Sequence, residues 1–197
     1  MAAGIKYNVA PPVEREVCDE STIYRLNDGG MDLDKSNLPA KGWLPELCPL
    51  FRDKVERKAY ACLRVKVVEA AAAAATTFKI QKNPFLSFIK AGFLLSDGTN
   101  VITVASVDTS NEAYDVVTAS SALSASIAKD AILVEAAVAD DASAKHVANF
   151  ASFGWRNIEV EDSVTFVGRV FSILEDELYI PFTAADKAAL GDRFMFI

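Results

Sequence analysis

One histidine, His146, and three widely spaced cysteines, Cys18, Cys48 and Cys62, are all that the chain offers for soft-metal or thiol chemistry. The cysteines fit neither a CxxC zinc pattern nor a disulfide framework, and they read as reduced, small hydrophobes. A lone histidine among small residues leaves His-based metal sites and most catalytic triads unsupplied, and it reads as a surface or loop residue. Uninterrupted apolar runs are short as well: none reaches the roughly 18 residues of a membrane span. The opening "MAAGIKYNVAPPVEREV" lacks the charged-then-apolar order of a secretory signal, so synthesis in the cytoplasm is expected. Positive charge is outnumbered, 20 Lys and Arg against 27 Asp and Glu, a net charge of -7 that repels nucleic acid and anionic lipid alike. Neither is expected as a partner.

Catalytic patterns are missing too. Ser120, Ser121, Ser124 and Ser126 stand outside any GxSxG context. "NDGGMDLD" (27–34) lacks the alternating acidic order and distal glutamate of a calcium loop and reads as a solvated turn. Glu175, Asp176 and Glu177 are expected at the tip of a hairpin, where like charges stay in water and do not face each other across a cleft. No glycine-rich phosphate loop occurs, and no enzymatic activity, metal or cofactor is expected.

What is present is a globular composition, 51% hydrophobic, in a chain long enough for one domain with an extension. Residues 1–56 hold five of the seven prolines, Pro11, Pro12, Pro39, Pro45 and Pro49, and show no periodicity. Each proline fixes its own φ and biases its predecessor to extended backbone, so this region reads as an extended N-terminal arm. Its large apolar groups, among them Tyr7, Ile23, Tyr24, Trp43, Leu44, Leu47 and Phe51, require a surface to lie on. That surface is expected to be a partner's, with the arm as the anchor through these residues; the alternative is that the arm folds back on the protein's own body.

Residues 57–197 read as a β-rich body. "CLRVKVV" sets Leu63, Val65 and Val67 against Arg64, Lys66 and Val68, and "TTFKIQ" sets Phe78 and Ile80 against Lys79 and Gln81. Between them stand six alanines, Ala70, Ala71, Ala72, Ala73, Ala74 and Ala75. The run is far shorter than an isolated helix of about 12–15 residues, has no good cap, and is flanked by β-branched residues. It is expected to be strand end, compact turn and strand, with small side chains that let two backbones or two subunits approach closely. Asp97-Gly98 predicts a hairpin, "DTSNE" (108–112) a second turn, and "KDAILVEAAV", "NIEVED", "SVTFVGRVFSI" and "RFMFI" further strands. Thr183, Asp186 three residues on, "AADKAAL" and Gly191 predict one short C-terminal helix. The fold class is mainly β, a compact barrel or sandwich.

The segments "RVKVVEAA", "TTFKIQKN", "KAGFLLSDGTNVITVASVDTSNEAYDVVTAS" and "AKDAILVEA", with the stretch to "AADKAAL", resemble head-fibre and capsid-decoration proteins of tailed phages and prophages, particularly those of gut Bacteroidales. The resemblance spans about residues 60–190, and the arm looks like that of such proteins. Where they often carry glycine in the turn before "LVEA", this chain has Asp130. The resemblance implies a non-catalytic, homotrimeric β-tulip-like knob on the outside of a virion capsid, bound to the major capsid protein or another head protein. Small residues at 70–75 would then serve subunit packing. The other reading is a carbohydrate-binding or adhesive β module for host-surface glycans, with Trp43 and Trp155 as stacking platforms.

Overall fold

A computed structural model describes residues 15–26 and 30–197. The proline-rich region contributes β1 (Tyr24–Arg25), β2 (Met31–Asp34), β3 (Trp43–Leu44), β4 (Pro49–Asp53) and β5 (Lys58–Ala61). The middle of the chain forms β6 (Arg64–Lys66), β7 (Thr77–Gln81), β8 (Leu94–Ser96), β9 (Val101–Asp108), β10 (Tyr114–Ala119), β11 (Ile132–Val138) and β12 (Asp141–Ala144). The last third forms β13 (Phe150–Ser152), β14 (Arg156–Asn157), β15 (Ser163–Val164), β16 (Phe166–Ile173), helix α1 (Ala184–Leu190) and β17 (Phe194–Phe196).

These strands build two main sheets. Among the described residues one runs β1-β16-β13-β4-β5-β2-β15 with β17 alongside β16, and the other runs β12-β11-β8-β9-β10-β7 with β6 alongside β11. β3 and β14 pair by themselves. The second sheet curls, because β6 pairs with β11 while the following Val67 meets Ile80 of β7 in an isolated bridge. Its ladders do not close into a barrel, and the whole is a mainly β, sandwich-like fold. Leu33, Leu50 and Phe166 of the first sheet share one core with Phe78, Ile80, Leu95, Val117 and Leu133 of the second. The first sheet also buries its other face: Val167, Val170 and Ile173 pack with Leu178, Phe182, Leu190 and Phe194 under α1. A sheet covered on both sides needs apolar residues at successive positions, which explains why β4 and β16 lack a clean period of two.

Local chemistry accounts for the turns. The Asp97 carboxylate accepts from the backbone N–H groups of Thr99 (2.8 Å) and Asn100 (2.7 Å), fixing the loop between β8 and β9. β8, β9 and β10 follow one another antiparallel, as the sequence suggests. The alanine run is not helical. Ala71 exchanges both backbone bonds with Ile127, Ala75 N–H donates to Ala72 O (3.1 Å), and Ala74 sits at φ +67°. Asp130, in the turn before β11, has φ +63°, the left-handed conformation for which glycine is favoured and Asp is tolerated. Helix α1 starts with the expected reciprocal cap between Thr183 and Asp186 and stops at Gly191.

Three expectations are corrected. Residues 175–177 form a 3-10 turn, not a hairpin tip, and the chain returns to β16 only at β17, in parallel. Leu178, Tyr179, Ile180 and Phe182 are all buried, and a run with no polar alternate fills space instead of joining a ladder. Met31–Asp34 is a strand between β5 and β15 and not part of a solvated turn. "NIEVED" is mostly turn, with only Asn157 in a strand.

Candidate functional site

The residues singled out by sequence fall into two separate places. Of the arm group, Tyr7 lies outside the described residues. Leu44 and Leu47 are fully enclosed, Ile23 and Phe51 pack partly buried on the smaller core, and Trp43 is half-buried in the β3–β14 pair. Only Tyr24 is well exposed, at 56%. The boundary expected at residues 56 and 57 falls inside the β4–β5 hairpin, in which Leu50 pairs with Ala61 and Asp53 with Lys58. From β2 to β4, therefore, the arm's apolar residues have the protein's own sheet as their surface.

The alanine run is different. Its partner is the small-residue segment after β10: besides the Ala71–Ile127 exchange, Ala74 N–H donates to Leu123 O (2.9 Å) and Leu123 N–H donates to Ala75 O (2.8 Å). Ala71 is buried and Ala75 half-buried, while Ala70, Ala72, Ala73 and Ala74 are exposed beside Ser120, Ser121, Ser124 and Ser126. A shallow depression of about 260 Å³ lies beside the alanine run, lined by Glu69, Ala70, Ala72, Thr77, Lys79 and Val116. Side chains this short lose little conformational freedom on contact and let another backbone come close.

Around these surfaces the ionisable groups are engaged with one another. Arg64 is buried with its stem in β6, and its guanidinium faces the Asp186 carboxylate through Nε (3.3 Å) and Nη2 (3.3 Å). Asp186 also accepts from Ala148 N–H (2.7 Å) and from the Thr183 N–H (2.9 Å) and hydroxyl (2.8 Å). Arg64 completes its bonds on the carbonyls of Leu63 (3.1 Å) and His146 (2.5 Å). The His146 ring lies between Phe51 and Tyr60, with centroids at 5.0 and 4.7 Å. Burial, then Lys145, holds its pKa below 6.5. Burial pushes the thiols of Cys18 and Cys62 up to about 12 and that of Cys48 well above its ordinary value, so all three are neutral, inert side chains. Among the described residues no group of three or more His, Cys, Asp or Glu could hold a metal ion, and no helix is long and apolar enough to cross a membrane.

Trp155 meets Phe85 and Tyr179 edge-on at 4.9 and 5.3 Å, inside an aromatic cluster. The Arg64–Asp186 pair and the His146 sandwich were not legible as sites. Arg64 occupies the polar alternate of a strand, and its partner stands 122 residues away. The chain matches no family model, no curated protein and no solved structure.

Proposed function

We propose that this protein is a non-enzymatic virion structural protein, a head-fibre or decoration protein that assembles as a homotrimer on the outside of a phage capsid. The resemblance of about residues 60–190 to such proteins carries the reading. A compatible feature is the set of exposed alanines and serines within residues 70–75 and 119–128, which is suited to close packing about a symmetry axis. The major capsid protein or another head protein is the partner in this reading, and attachment falls to the N-terminal region. Leu44 and Leu47 are enclosed by the chain's own sheets, and among the described residues of that region Tyr24 and Val55 are the large apolar side chains left exposed to make the contact. Two measurements test the reading. Light scattering of the purified protein should give the mass of three chains, and electron microscopy of particles with and without the protein should show surface knobs only when it is present. A monomer at micromolar concentration, or particles that stay bare, would overturn it.

A further inference from the structure

Between β6, β7 and the irregular connection that follows β7 lies a small, partly open cavity of about 20 Å³, which Tyr179 also lines. Most polar groups on its wall are already bonded. Arg64 is bonded to Asp186 and two carbonyls, Lys66 faces Asp130 (3.5 Å) and Asp176 (3.2 Å), and Asp115 accepts from Lys82 (2.7 Å). Two buried polar atoms there have no protein partner. Asn83 Oδ1 accepts from the N–H groups of Phe85 and Leu86, both at 3.1 Å, which fixes the amide and turns Nδ2 away from those bonds. Nδ2 itself is buried without a protein partner. Tyr179, only 7% exposed, is clamped by Phe85 at 5.2 Å, Trp155 at 5.3 Å and the Arg15 guanidinium 4.0 Å above its ring, and its hydroxyl is likewise buried without a partner.

Leaving two such groups unpaired is costly, so the folded chain has reason to supply both with a partner from the cavity they line. We propose that this cavity is a binding site for one structural water, which accepts from Asn83 Nδ2, bonds Tyr179 Oη and so joins the irregular 82–93 connection to the C-terminal segment. The volume exceeds the roughly 10–15 Å³ that one water needs on the same measure. A halide, which would also accept from both groups, is disfavoured because Asp115 lines the cavity and the cations there are already neutralised. The site is independent of the capsid reading.

A crystal structure that orders internal waters tests this, together with a bromide soak and amide exchange on Tyr179→Phe. The expected result is one density peak within about 3.2 Å of both atoms, with no bromide signal. Exchange at the Phe85 and Leu86 amides should be several-fold faster in the variant. No density at that point, density bonded to only one of the two groups, bromide in its place, or unchanged exchange in Tyr179→Phe would overturn the proposal.

Discussion

Arg64 shows how a single side chain can tie distant parts of this fold. Its charge is removed from water and offset by Asp186 and two carbonyls, so loss of either partner leaves the other buried and unpaired. Arg64→Met is expected to lower stability by about 3–5 kcal/mol, read from the denaturant midpoint. The double variant with Asp186→Leu should recover only part of that loss, because Ala148 N–H and Thr183 would then be unpaired. His146 adds a pH dependence. Its folded-state pKa is below 6.5, so the unfolded chain takes up the proton first as pH falls, and this site's contribution to stability falls with it. His146→Phe keeps a ring in the stack and removes the titration. Below pH 6.5 the wild type should therefore lose stability relative to the variant, as thermal melts across pH would record. Ala74, at φ +67°, carries backbone strain that glycine relieves: Ala74→Gly should raise stability by roughly 0.5 kcal/mol and Ala74→Val should lower it by more than about 1 kcal/mol.

The β4–β5 hairpin governs how the N-terminal region can be cut. β2 lies between β5 and β15, and Leu33 and Leu38 belong to the shared core. Removing residues 1–40 exposes the edge of β5 and opens the core at both leucines. Each such loss of a buried leucine resembles a large-to-small substitution of about 2–5 kcal/mol, before the unpaired strand edge is counted. That truncation is expected to lower the melting temperature and to aggregate, so a failure to bind capsids would not by itself identify an anchor. Helix α1, at seven residues, is too short to persist alone. It is held by its cap and by Leu190 in the smaller core, and Thr183→Ala should cost about 1 kcal/mol by the loss of the cap.

For the whole molecule the question is assembly. A surface of alanine and serine is neutral toward folding when changed at its exposed positions, but not toward a close contact. Ala72→Arg with Ala73→Arg should leave the β-sheet circular-dichroism spectrum of the chain unchanged while reducing the mass in light scattering from the three chains of the proposed trimer to one. If the substituted protein keeps a three-chain mass, the strip is not the packing surface. If the unsubstituted protein is itself a monomer, the homotrimer is excluded.

Local propensity and alternation were enough to give the β class, the Asp97-Gly98 turn, the non-helical alanine run and the capped terminal helix, because each depends on neighbours within a few residues. The burial of both faces of β4 and β16 was not legible, since a doubly covered strand loses the period that reveals it. For the same reason the apolar residues of the proline-rich region carried no sign of which surface they meet. Leu44 and Leu47 read as anchors, and only the pairing of β3 with β14 and of β4 with β5 and β13 places them inside. Arg64 and Asp186 each had an ordinary local role, a strand alternate and a helix cap. Their union across 122 residues is a product of chain topology, which brings β6 against the start of α1 where no local signal could foretell it.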